Sequence, residues 1–242
     1  MDLKDKIVIV TGSSDGLGKA LAIRLAREGS QIILMARSEE KLKSVKEEIT
    51  AAGGNADYVV CDMTRDDSIH SAVEQVKQRY GGVDVLVNNA GIWRPGKTED
   101  LPPEIVHAIF ETNAIGPILM TREVLPVLKS RGGGQILNVL SIAGVEEVVD
   151  YGVVYTATKH AMQGFTDCLK QECMPHNIRV MGFYPGGMAT NIMAAAGITN
   201  VPAEQMAKTA MRPEDVAELL TFMLKEPGDV ILDHVEMRKF MK

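Results

Sequence analysis

Apolar and polar positions along this chain switch repeatedly between two periods. Residues 7–10 are a short β-branched run closed by Thr11-Gly12, the pattern of a buried strand. Over 16–28, Leu17, Ala20, Leu21 and Leu25 recur at helical spacing until Gly29 stops the helix. A strand over 31–36 follows. Ser38 then caps a helix reaching about 52, with Leu42, Val45 and Ile49 facing inward. The alternation continues with a strand at 58–61, a helix at 66–80 and a strand at 83–87. After the loop 88–99 comes a helical region over 103–131, bent near Gly116-Pro117. A strand at 135–140, a helix at 155–174, a strand at 178–184, a helix at 213–225 and a strand at 230–237 complete the chain.

Strands alternating with helices predict an α/β fold of the doubly wound kind. Its mostly parallel sheet has about seven strands, and right-handed crossovers place helices on both faces. No repeat or linker divides the 242 residues, so one nucleotide-binding domain is expected, with a small covering segment at 188–211. Ligands of such sheets sit beyond the carboxyl ends of the strands, near the switch in strand order. Residues that follow strands are therefore the candidates for chemistry.

Composition narrows the classes. Hydrophobic residues make up 45% and charged residues 24%, an ordinary globular mixture. A formal net charge of -6 argues against nucleic acid and anionic membranes as partners. Cys61, Cys168 and Cys173 form no paired framework and read as reduced thiols, giving a cytoplasmic expectation. The charged opening does not resemble a secretory leader, no apolar run reaches spanning length, and the scattered histidines predict no metal site.

The loop Thr11–Gly18, TGSSDGLG, joins the first strand to the first helix. Glycines there permit a tight turn and close approach to a pyrophosphate, and the following helix start offers unpaired N–H groups. Gly12, Ser14, Asp15, Gly16, Leu17 and Gly18 are its cofactor-binding candidates, although the spacing GxxxGxG is not the general GxGxxG. A plain strand-to-helix turn is the competing reading. At the end of the second strand an acidic residue would favour NAD, but Ala36 and Arg37 stand there. A guanidinium can hold a 2′-phosphate, so NADP is expected ahead of NAD. Asp15 argues the other way, as a carboxylate beside that phosphate.

Tyr155 and Lys159 lie four apart at the start of a predicted helix and so share a face. A phenol ordinarily titrates near 10. A neighbouring ammonium favours the phenolate and brings proton transfer closer to working pH. Ser141 follows the fifth strand, where its hydroxyl can stabilise charge growing on a carbonyl oxygen. Asn88-Asn89-Ala90-Gly91 follows the fourth strand, and Tyr184-Pro185-Gly186-Gly187-Met188-Ala189-Thr190 the sixth. Each element alone reads equally as turn chemistry; the ordered set does not.

That set resembles the short-chain dehydrogenase/reductase family over essentially the whole chain: TGSSDGLG, Asp62, NNAG at 88–91, Asn113, Ser141, YTATK at 155–159 and PGGMAT at 185–190. The resemblance implies a Rossmann-type fold with Tyr155 as general acid/base and Ser141 orienting the substrate oxygen. Lys159 would lower the tyrosine pKa and hold the nicotinamide ribose, and Asn113 would support Lys159 through a water. It further implies cofactor contacts from Asp62, Met63, Asn89, Ala90, Gly91, Pro185, Gly186, Met188 and Thr190. Arg at position 37 goes with NADP in the family, and assembly as a homodimer or homotetramer through 103–131 and 155–174 is common. Two departures stand out. The Ser141–Tyr155 spacing is one residue longer than in many relatives. The ending 229–238 lacks the Gly-Gly of ketoacyl reductases and looks more like hydroxy-acid and serine dehydrogenase-like members.

The expected partner is a small carbonyl or alcohol, with Trp93, Tyr151, Ser141 and Met193 as substrate candidates. The segment 188–211 holds Ile192, Met193, Ile198, Val201 and Met206, suited to apolar surfaces or to packing beneath a loop. Glu146 and Glu147 can meet a cationic substrate or simply solvate a loop. A non-catalytic dinucleotide sensor and a lyase or epimerase using the same Tyr–Lys pair are the competing functions.

Overall fold

Seven strands pair side by side in the order β3-β2-β1-β4-β5-β6-β7, every pair parallel, in a computed structural model that describes residues 2–146, 152–200 and 202–240. The strands are β1 (Ile7–Thr11), β2 (Gln31–Ala36), β3 (Asn55–Val60), β4 (Val85–Asn88), β5 (Gly134–Val139), β6 (Ile178–Pro185) and β7 (His234–Met237). The helices are α1 (Gly16–Ala26), α2 (Glu39–Ala51), α3 (Asp66–Tyr80), α4 (Pro103–Phe110), α5 (Gly116–Ser130), α6 (Val153–Cys173), α7 (Ile192–Ala195), α8 (Ala203–Thr209) and α9 (Pro213–Lys225).

The continuous apolar runs of the strands serve two cores at once, because successive side chains point to opposite faces. Val8, Val10, Ile32 and Leu34 pack on one side with Leu21 and Leu25 of α1, Leu42 of α2 and Leu220 of α9. Ile7, Ile9, Ile33 and Met35 pack on the other with Val73 of α3, Val124 of α5 and Leu169 of α6. Each such fully buried aliphatic side chain stabilises the fold by about 1.5–3 kcal/mol. The strand order reverses between β1 and β4, which places the crevice beyond their carboxyl ends.

Beyond shifts of one to three residues at other element ends, such as β3 beginning at 55 rather than 58, three places depart from the sequence reading. The region 103–131 is two helices joined by a π-helical turn, Glu111–Ile115, in which the Gly116 N–H donates to the Glu111 carbonyl. Pro117 has no N–H to give the carbonyl four residues back, that of Asn113, and its ring crowds it; widening one turn relieves this. The last strand starts at 234 rather than 230, because the Arg179 guanidinium takes the carbonyls of Glu226, Pro227 and Val230 (3.0, 2.7 and 2.8 Å) before pairing begins at Gly182 with His234. The covering segment contains two short helices, α7 and α8, that its scattered apolar residues did not announce. Among the described residues no helix is long and apolar enough to cross a membrane.

Candidate active site

Backbone geometry builds the glycine loop. The Gly12 N–H donates to the Met35 carbonyl at 2.7 Å, and Ser13, fully buried, accepts from the Met35 N–H at 2.9 Å. These bonds moor the loop to the end of β2. Asn89 moors it from β4: its amide donates to the carbonyls of Thr11 (2.9 Å) and Gly12 (3.3 Å), while the Asn89 and Ala90 N–H groups donate to the Thr11 hydroxyl. A Cβ at Gly12, where φ is +66°, would lie 2.8 Å from the Ala90 Cα; one at Gly18 would lie 2.3 Å from the Gly12 carbonyl oxygen. Both positions exclude any side chain. Asp15 caps α1, accepting from the Gly16 N–H at 2.7 Å, and Leu17 is buried in the core.

Arg37 is exposed at the end of β2, and no carboxylate among the described residues pairs with it. Beyond β3, Asp62 accepts from the Thr64 N–H and hydroxyl (3.0 and 2.9 Å), and Met63 is buried. These ends, with the glycine loop, line the half of the crevice over β1 to β3.

The other half has a buried polar floor. Asn113, 2% exposed, pairs its side chain with the backbone of Ile92, accepting from the N–H and donating to the carbonyl, both at 2.8 Å. It also reaches the Thr158 hydroxyl at 3.4 Å. The Lys159 ammonium donates to the Val139 carbonyl at 3.3 Å and lies 5.5 Å from the centre of the Tyr155 ring. Burial lowers its pKa from 10.5 to about 8. A Cβ on Gly91 would sit 3.5 Å from the Asn113 Oδ1 and 4.0 Å from the Lys159 Nζ, so NNAG, Asn113 and the lysine converge. Ser141 begins a tight turn, Ile142–Gly144, its hydroxyl accepting from the Ala143 N–H at 3.1 Å. That turn packs on α6, where a Cβ at Gly144 would be 2.9 Å from the Lys159 carbonyl oxygen.

At the carboxyl end of β6, the Gly186 N–H donates to the Met237 carbonyl, which ties the PGGMAT turn to β7. Thr190 approaches Gly16, its methyl 3.2 Å from where a Cβ would stand. Met188 packs against the core cluster under α1 and α9. Trp93 and Met193 are half-buried, and the Trp93 indole nitrogen is 4.0 Å from a Cβ position on Gly152 at the start of α6. Tyr151, Glu147 and Val201 lie outside the described residues. Glu146 is ion-paired with Arg238 at 2.6 Å, which leaves little for a cationic substrate.

The site also rests on side chains that sequence reasoning passed over: Thr11, Ser13, Thr158, and a ladder beneath the floor. In that ladder the Asn88 amide donates to Thr121 (3.0 Å) and Asn138 (2.9 Å), and the Asn138 amide donates to Thr166 (2.9 Å). Asn and Thr in otherwise apolar strands and helices were the available signal, since buried polar groups need partners.

A glycine loop after β1, set at the reversal of a 3-2-1-4-5-6-7 parallel sheet, defines the doubly wound dinucleotide-binding class. A family model described as short chain dehydrogenase matches residues 6–200. The chain belongs to the short-chain dehydrogenase/reductase family of oxidoreductases. It is 33% identical over 242 residues to dehydrogenase/reductase SDR family member 7B of Danio rerio, covering 96% of this chain and 78% of that protein. In structure it is similar to an alcohol dehydrogenase of the archaeon Thermococcus sibiricus complexed with 5-hydroxy-NADP. The TM-score there is 0.89, with 29% identity and 98% and 97% of the two chains covered. It is also similar to a variant of actinorhodin polyketide ketoreductase with NADPH (TM-score 0.88, 33% identity, 97% and 96% covered).

Proposed function

We propose that this protein is an NADP-dependent oxidoreductase that interconverts a carbonyl and an alcohol, with Tyr155 as the general acid/base. The observation that carries this reading is the buried Lys159, held 5.5 Å from the Tyr155 ring at the carboxyl end of β5. A lysine placed at such a desolvation cost needs a task, and a cation beside a phenol is a means of activating it.

The residues present fit a dinucleotide. Gly12 and Gly18, whose Cβ atoms would meet backbone, let the loop and the start of α1 pack tightly, and that helix start can offer its N–H groups to a pyrophosphate. Arg37, exposed and without a carboxylate partner, suits a 2′-phosphate, and Asp62 with Met63 borders the adenine side. The two solved relatives, named for ketone and alcohol chemistry and complexed with forms of NADP(H), support the same cofactor and reaction class. Bound there, the nicotinamide supplies or accepts a hydride.

The chain's own residues do the rest. In reduction the Tyr155 hydroxyl gives its proton to the substrate oxygen, and in oxidation it takes that proton back. Ser141 donates to the same oxygen and stabilises the charge that grows on it. Lys159 favours the phenolate, while Asn113 fixes the Ile92 turn against which the lysine packs. Trp93 and Met193 offer apolar walls suited to a ketone, an aldehyde or a small hydroxy acid.

The test is NADPH oxidation by the purified protein with a panel of ketones and aldehydes. Steady turnover is expected, lost about 10²–10⁴-fold in Tyr155→Phe with NADPH binding retained. Tight NADPH binding without turnover of any carbonyl would sink the reading and favour a sensor.

A further inference from the structure

The segment after β6 leaves the sheet at Pro185-Gly186 and returns at Met211. Its two feet are stitched together: the Ala189 N–H donates to the Met211 carbonyl at 2.8 Å, and the Met211 N–H donates to the Gly187 carbonyl at 2.9 Å. Between the feet, α7 and α8 form the covering excursion. Among the described residues, a side-chain bond runs from it to the glycine loop, from the Asn191 amide to the second oxygen of Asp15 at 2.8 Å.

Three observations give that bond significance. Asn191 stands at the N-cap of α7, where an asparagine ordinarily accepts from its own helix; it makes no such cap bond. Its amide is turned to Asp15 instead. The Asp15 carboxylate holds two elements simultaneously, since its other oxygen accepts from the first N–H of α1. Thirdly, burial raises the Asp15 pKa, yet the bonds from Asn191 and Gly16, with Lys41 and Lys19, outweigh burial and hold the carboxyl below its ordinary value. The carboxylate is therefore ionised at neutral pH, with one oxygen on Gly16 and the other on Asn191.

Resting on the cofactor assignment above, we infer that the Asp15–Asn191 hydrogen bond is a latch that docks the covering segment on the glycine loop and slows cofactor release. With the bond made, Thr190 is held against Gly16 and the carboxylate is parked on the covering segment. With it broken, the segment loses this fastening, and one oxygen of the Asp15 carboxylate is released at the helix start where phosphates bind. Asp15 and Asn191 are positioning residues. The latch borders an open groove of about 600 Å³ along α1 and α9. Around that groove Lys19 is paired with Glu48 and Arg24 with Glu28 and Glu218, and the Asp15 carboxylate takes its hydrogen bonds from Asn191 and Gly16 rather than from a cation. Water reaches the bond from that side, which sets its effect at a modest size.

The experiment is stopped-flow displacement of NADPH from wild type, Asn191→Ala, and the exchanged pair Asp15→Asn with Asn191→Asp, in which position 15 becomes the amide donor. Asn191→Ala is expected to release NADPH about five- to tenfold faster. The exchanged pair should return to within about twofold of wild type, a rescue that a merely structural role does not give. In cofactor-free protein, amides 190–198 should exchange faster in Asn191→Ala. Unchanged release with unchanged amide exchange would overturn the latch, as would failure of the exchanged pair to restore release. If wild type binds no NADPH, the cofactor assignment falls, and the amide exchange then decides the latch alone.

Discussion

Over β1 the crevice is shaped by positions whose missing Cβ lets backbone pack on backbone; over β4 to β6 it is floored by buried polar side chains. At Gly12 and Gly18 an added methyl meets backbone within 2.8 and 2.3 Å. At Asn113 and Lys159 the space is filled, and each polar atom is fixed by a backbone partner at 2.8–3.3 Å. The first region is limited by volume and carries little electrostatic strain. The second is limited by charge and hydrogen bonding, and it holds a cation that burial disfavours. Nucleotide binding and proton transfer should therefore fail separately, each by its own kind of substitution.

The largest expected effect that separates the two is Lys159→Met. Activity should fall at least about 100-fold, because the phenol loses its cation. Thermal stability should rise at pH 7, since the desolvation cost of the ammonium disappears, by about 3 kcal/mol at most. Lys159 titrates near 8 when folded and near 10.5 when unfolded. Between those values the unfolded chain holds a proton that the native chain lacks, so wild type gains stability as pH rises. The advantage of the methionine variant should be full below about pH 8 and fade toward 10.5, which melting curves across that range would check. A variant less stable than wild type at pH 7 would contradict the picture of a strained cation.

Next in size is Gly18→Ala. Backbone displacement should cost about 1–3 kcal/mol and weaken NADPH binding roughly tenfold or more, with the Tm falling by several degrees. If substrate turnover at saturating NADPH stays near wild type, the two regions are separable as argued. Arg37→Ala comes third. It should lower the preference for NADPH over NADH by about 10–100-fold and leave the Tm unchanged, because the side chain is exposed. An unchanged preference would remove Arg37 from the cofactor reading. The smallest effect belongs to Arg238→Ala, which breaks the exposed pair with Glu146 near the substrate side. With its second pair, to Glu236, lost as well, the Tm should stay near wild type while KM shifts more than kcat.

The contrast also explains what was legible in the sequence. Backbone-made features leave a residue signature: the glycines of 12–18 and the runs of 7–10 and 31–36 announce the loop and the parallel sheet. Helices α3 and α9 begin and end where apolar spacing and terminal signals place them, at Asp66–Tyr80 and Pro213–Lys225. Side-chain partnerships across the sheet leave a weaker trace. Asn88, Asn138, Thr121 and Thr166 come from four elements and meet only in the fold, so nothing local marks them as one ladder. Taken locally, Asp15 is a carboxylate in the glycine loop that would discriminate against the 2′-phosphate. Its fastening to Asn191, 176 positions away, depends on a contact that no local pattern contains. The apolar run 230–232 reads locally as the start of β7, while Arg179 takes the carbonyls of Glu226, Pro227 and Val230 and pairing begins only at His234.

The π-helical turn at Glu111–Ile115 bears on how this gene can change length. It fits one more residue into its hydrogen-bonded ring than an α-turn does. Loss of a single codon there, at any residue but Asn113, would let α4 run toward α5 in regular α-helical register. Such a helix would again set the Pro117 ring against the carbonyl four residues back, at a cost of about 3 kcal/mol. One residue also subtends about 100° of helical rotation, so the carboxamide of Asn113 would swing off the Ile92 backbone. A single-residue deletion here would therefore both crowd the helix at Pro117 and disconnect the floor of the site, so the length of this stretch is held by folding and chemistry together.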